Sequence, residues 1–188
     1  CGLAQVKITP AKLFWMAGFA ARTRPAEGAL DDLWVKVLAL EAPGGRLAVL
    51  ETADILGVPK VMYDRICRGI QTRHGLGRAQ LMLASSHTHS GPVLWNALQD
   101  IYPLDEKQQA LIDEYSGWLE KVLLEAIGEA SSRRSPCTLW AGEGTAPFGV
   151  NRRTNRESDL PEMLRKGEEP QGPSDHSVPV LAVRSQEG

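Results

Sequence analysis

Between residues 46 and 86 a strand, a helix and a second strand follow one another, and that order leaves the chain few topologies. Arg46-Leu47-Ala48-Val49-Leu50 is a short apolar run. From Pro59 to about His74, Met62, Ile66 and Ile70 recur every four residues with Tyr63 and Cys67 beside them, the period of an amphipathic helix. Pro59 suits a first turn and Gly75 a stop. Ala79 to Ser86 is apolar again. Two strands joined through a helix run parallel, because the crossover brings the chain back to the edge it left. Upstream, Trp34 to Leu40 and Arg46 to Leu50 read as a hairpin turning at Ala42-Pro43-Gly44-Gly45. These runs are too continuously apolar for one-sided strands, which predicts burial on both faces.

The longest helix is predicted from Asp105, a plausible N-cap, to about Glu129, with Leu111, Tyr115, Trp118, Leu119, Val122 and Leu123 as its apolar stripe. Strands return at Thr138 to Ala141 and Val178 to Val183. The polar stretch from Thr154 to Ser177 has room for one short helix, begun at Asp159 and stopped at Gly167. Arg184 to Gly188 reads as a turn with no returning strand, so the expectation is a chain that stops inside a larger catalytic domain. The fold class expected is α/β: a mixed β-sheet flanked by helices, the incomplete N-terminal part of that domain, spanning 1–188.

At 188 residues the chain has the size of one domain. Lys+Arg of 21 against Asp+Glu of 23 gives a net charge of −2, which lacks the basic excess of a nucleic-acid or anionic-membrane binder. No apolar run approaches the roughly 20 residues of a membrane helix. Cys1, Cys67 and Cys137 are too far apart for a CxxC pair, and burial as small hydrophobes is expected of Cys67 and Cys137. The first residue is Cys1 rather than Met, consistent with a removed leader or a cut chain.

Chemistry concentrates in Ser85-Ser86-His87-Thr88-His89-Ser90-Gly91-Pro92, where a strand ends and a Gly-Pro turn begins. In extended backbone, His87 and His89 project to the same side, and ligands of open α/β sheets bind just outside the carboxyl ends of strands. Two imidazoles there either share in a Zn²⁺ site and its proton traffic or are simply hydrogen-bonded loop histidines. Two nitrogens do not complete a catalytic zinc site, which takes three protein ligands. His74 is expected to cap its helix and His176 to be solvated. Asp54 either orients a ligating imidazole or caps the helix that follows. Among Arg152, Arg153 and Arg156, one guanidinium could bind a carbonyl oxygen or oxyanion, or all three form a solvated turn. Trp95 is the tryptophan expected to line a pocket. There is no phosphate-binding loop, nucleophile elbow or glycosylation sequon.

Read together, Val6-Lys7-Ile8-Thr9-Pro10, Met16-Ala17-Gly18-Phe19, Thr52-Ala53-Asp54-Ile55-Leu56-Gly57, Ser86 to Pro92, Asn151-Arg152 and Asp175 to Val183 resemble, in order, the N-terminal part of the neutral/alkaline non-lysosomal ceramidase family. That resemblance implies a zinc-dependent amide hydrolase, with a lipid amide such as ceramide as substrate. It implies that His87 binds Zn²⁺, that His89 lies beside the metal-bound water and substrate, and that Arg152 binds near the scissile amide. The family's further ligands, a His, a Glu and a Tyr, are expected in the remaining C-terminal part of the same protein. A secreted or periplasmic location and peripheral membrane contact go with the resemblance. Two departures stand out: Val93-Leu94-Trp95 follows Gly91-Pro92 where the family often has glycines, and Lys7 replaces an Asp. The alternatives are a zinc hydrolase of another amide or ester, and a non-catalytic module keeping the fold.

Overall fold

A computed structural model describes residues 1–185, which fold as two compact units, Cys1–Pro136 and the part from Cys137 onward. The first unit holds β1 (Gly2–Lys7), β2 (Trp34–Ala42), β3 (Arg46–Ala53), α1 (Lys60–His74), β4 (Leu81–Ser85) and α2 (Glu106–Ser132). Its sheet runs β1-β2-β3-β4, antiparallel except for the parallel β3–β4 pair. The architecture is therefore a mixed sheet with helices, as the strand–helix–strand order requires.

β1 is a strand the sequence pattern did not announce. Its side chains alternate, but with only Ala4 and Val6 turned inward beside Gly2. Gly2 is held so close to α2 that an added Cβ would stand 2.0 Å from the Ala130 carbonyl oxygen. Around it, the Cys1 ammonium donates to the Ser135 carbonyl at 2.6 Å, and the Ser135 N–H returns a bond to Cys1 at 2.8 Å.

One face of the sheet carries the core: Val35, Val37, Ala39, Val49, Ala53 and Leu81 pack with Met62, Ile66 and Ile70 of α1. From α2 come Ile112, Tyr115, Leu119, Leu123 and Ile127. Each such aliphatic contributes about 1.5–3 kcal/mol on burial. The α2 stripe is centred on Ile112 and Leu119 rather than on Trp118, which is 41% exposed. Asp105 does cap the helix, its Oδ1 accepting the Gln108 N–H at 2.7 Å. The expectation of two buried faces is corrected. Leu3, Leu38, Leu50 and Met82 lie in register across the outer face, and the two at its ends are 67% and 62% exposed. A single crossover brings helices to one face only. Cys67 and Cys137 are half-buried rather than buried, and all three cysteines are free.

The second unit is a hairpin of β5 (Cys137–Thr145) and β6 (Ser177–Ser185), with α3 (Leu160–Arg165) in the connecting loop. Both strands outrun their apolar stretches, because backbone pairing continues through Gly142-Glu143-Gly144. Arg184 and Ser185 belong to β6 rather than to a turn; residues 186–188 of that expected turn lie outside the described residues. Asn151 and Asn155 organise the loop. Asn151 Oδ1 accepts the N–H groups of Arg153 and Thr154, and Asn155 bonds both ways with Gln171. The helix stops at Gly167, φ +74°, as expected. No helix among the described residues is long and apolar enough to cross a membrane.

Glu51 departs from the pattern of its strand. It is fully buried, flanked in register by Val37 and Leu83, and neither carboxylate oxygen has a partner among the described residues. Burial pushes its pKa from 4.5 up to about 8. The unfolded chain releases this proton near pH 4.5 while the folded chain keeps it, so the contribution to stability is full below that pH and is lost as pH rises through about 8. At about 1.4 kcal/mol per unit the loss amounts to roughly 4–5 kcal/mol. Glu51→Gln is expected to flatten the fall in urea-unfolding stability between pH 5 and 8; an equal slope in both proteins contradicts this account.

Candidate active site

The site begins where β3 and β4 end side by side. Their parallel pairing runs to Ala53↔Ser85, and the Ser86 N–H extends it by one bond to the Ala53 carbonyl at 3.0 Å. Asp54 then exchanges two bonds with Trp34: its N–H donates to the Trp34 carbonyl, and its Oδ2 accepts the Trp34 N–H, each at 2.9 Å. The residue thus closes the β2–β3 ladder. It neither caps α1, whose N-cap is Pro59, nor serves as the acceptor on His87; that role falls to a backbone group two residues on.

His87 lies in the left-handed region at φ +55°, which few non-glycine residues adopt. The kink turns its ring toward the 54–57 segment, where Nδ1 sits 2.8 Å from the Leu56 carbonyl oxygen. A carbonyl only accepts, so this bond calls for a proton on Nδ1 and leaves Nε2 as the nitrogen facing away from the Leu56 carbonyl. Metal-ligating histidines are typically held this way. His87 is exposed, and it lines an apolar cavity of about 250 Å³ with Ala17, Leu56, Pro92, Leu94 and Leu98. Trp95, expected at that wall, instead packs under the Arg65 guanidinium at 4.9 Å.

The His89 ring stands 5.3 Å from that of His87, edge to face. The two rings do meet, but through the left-handed turn rather than by strand alternation, since β4 ends at Ser85. Behind them, residues 15–17 pair with 91–93: Ala17 N–H donates to Gly91, and Val93 N–H to Trp15, each at 2.9 Å. This pairing lays Gly18 and Phe19 against His89, with ring centroids of Phe19 and His89 4.8 Å apart. Gly18 has φ +108°, and a Cβ there would stand 2.4 Å from His89 Cγ, so this position requires glycine twice over. A second cavity, of about 400 Å³, is lined by Leu13, Met16, Leu30, Thr88 and Ser90 among others.

The remaining candidates make contacts of their own. Arg152 belongs to the second unit, exposed and paired with Glu157 at 3.3 Å. His176 is half-buried rather than solvated, its Nε2 3.0 Å from the Gly149 carbonyl oxygen. His74 rests its ring on α2 at Gly128. The described residues contain no cluster of three or more His, Cys, Asp or Glu able to hold a metal ion. His87 shares its Nδ1 anchor with many ligating histidines, while the three-ligand set of a catalytic zinc is not completed among the described residues. Sequence reasoning missed the Leu56 carbonyl and the contact of Phe19 with His89; only Gly18-Phe19 carried a signal, as part of a motif.

No family model matches the sequence, and no curated protein does. Solved structures do. A ceramidase complexed with C2 superposes with a TM-score of 0.71 at 23% identity, covering 100% of this chain and 29% of that one. The neutral ceramidase from Pseudomonas aeruginosa gives 0.71 at 22% identity with the same coverage. The chain folds like part of a neutral ceramidase. It spans 29% of the length of those structures.

Gly18→Ala is expected to cost more than about 1 kcal/mol, read as a lower midpoint in urea unfolding. An unchanged midpoint contradicts the close packing of Gly18 on His89.

Proposed function

We propose that this chain forms part of a zinc-dependent amide hydrolase acting on the N-acyl amide of ceramide or a related lipid. The observation that carries the reading is the imidazole of His87, anchored through Nδ1 on the Leu56 carbonyl oxygen, on a scaffold shared with ceramidases. His87 would hold the ion, and ligands outside the described residues would complete its shell. Bound zinc supplies a Lewis acid at that nitrogen.

The protein's own groups then have distinct tasks. Leu56 fixes the tautomer and aim of the His87 ring. His89, whose ring stands next to that of His87, would hold or deliver a proton at the reacting amide. The family resemblance assigns Arg152 the task of supplying fixed N–H donors for the amide oxygen as negative charge develops there. The apolar cavity beside His87 suits a hydrocarbon arm of the substrate.

In the full-length protein, His87→Ala is expected to abolish both stoichiometric zinc, measured by elemental analysis, and hydrolysis of a short-chain ceramide. Arg152→Ala should lower turnover by about 100-fold or more, the scale of losing one oxyanion donor, with zinc content unchanged. Retained zinc and turnover in His87→Ala would overturn the assignment and favour a non-catalytic module on this fold.

A further inference from the structure

Arg22 sits in the loop after β1, 67 positions from His89, yet it meets that residue by two routes. Its Nη2 donates to the His89 backbone carbonyl. Its guanidinium carbon lies 5.2 Å from the centroid of Phe19, and the edge-to-face Phe19–His89 contact completes the circuit at 4.8 Å. Backbone and ring of His89 are thus both held by one side chain, directly and through Phe19. Phe19 itself is 54% exposed. Without the cation over its face it has little to keep its ring against the imidazole. The charge-assisted bond holds the His89 backbone, and the guanidinium over Phe19 holds that ring against the imidazole.

We infer that Arg22 is a positioning residue for His89, acting through the His89 carbonyl and the Phe19 ring. This rests on the reading of His89 as the proton-handling group of the proposed amidase. Arg22 touches neither the substrate nor the ion in this assignment. Its effect should fall on turnover rather than on metal or substrate binding.

The test uses the full-length, zinc-loaded protein with a short-chain ceramide as substrate and ¹³C-labelled histidines as reporters, the His89 resonances being assigned with His89→Gln. Arg22→Gln is expected to lower kcat about 10–100-fold, the usual range for groups that orient a site residue, with KM and zinc content unchanged. In the same variant the His89 ring resonances should shift as Phe19 leaves, while those of His74 and His176 stay in place. Arg22→Lys keeps a cation over Phe19 without the planar fork and should recover about tenfold of the loss. Should Arg22→Gln not fold, Phe19→Leu carries the same two readouts. Unmoved His89 resonances overturn the inference, and so does an unchanged kcat in Arg22→Gln when His89→Gln itself is inactive. If His89→Gln is as active as the wild type, the reading of His89 has failed, and the resonances alone decide whether Arg22 positions it.

Discussion

The parallel pairing of β3 with β4 is the contact on which the site depends. It ends at Ala53↔Ser85 and is carried one step further by the Ser86 N–H. Two chain segments therefore leave the sheet together from the same edge. One brings the Leu56 carbonyl and the other the His87 ring, and their 2.8 Å bond is a consequence of that shared exit. A slip of one residue in this register would send the Val49, Glu51 and Ala53 side chains to the outer face. It would also separate the histidine from its acceptor. The core that fixes the register is the packing of α1 and α2 beneath the sheet, so the stability of the helices and the geometry of the imidazole are one problem.

The structure places its costs near this edge. His87, Asn96 and Leu98 all take positive φ within twelve positions, and a residue held in such a conformation costs of order 1–3 kcal/mol. What holds them is the 15–17 against 91–93 pairing and the complete burial of Val93. Glu51, two residues before the strand ends, adds a desolvated acid to the same region. Natural sequences give up local consistency where a site demands it. The strained segment and the anchored imidazole lie in one continuous stretch of chain.

Much of this fold was legible because apolar periodicity reports burial. Met62, Ile66 and Ile70 marked α1, Asp105 marked the start of α2, and the strand–helix–strand order required the parallel pair. β1 was not legible, since Gly2, Ala4 and Val6 give it little apolar signal; its pairing with β2 and its fit under Ala130 make it a strand. The second unit's strands were read too short, because Gly142 and Gly144 lower β-propensity while the hydrogen-bond ladder continues through them. At the site, the residue types were readable and their geometry was not. The histidine pair was found by composition, but alternation along a strand was the wrong reason for its convergence. A left-handed turn at a non-glycine residue leaves no mark in a sequence. The Leu56 carbonyl leaves none either, because every residue has one. Arg22 is remote in sequence from His89, and nothing local signals a contact between them.

A shared scaffold does not by itself assign chemistry, and at 22–23% identity the likeness to ceramidases concerns the scaffold. The step from scaffold to chemistry needs a feature that folding alone does not require. An exposed histidine in a strained conformation is such a feature. Strain of this kind lowers stability, and one bond to a carbonyl, worth about 0.5–1.5 kcal/mol net, barely offsets it. What the arrangement does secure is one ring orientation, with Nδ1 held on the Leu56 carbonyl. A fixed ring aim is what the proposed ligand role of His87 asks for.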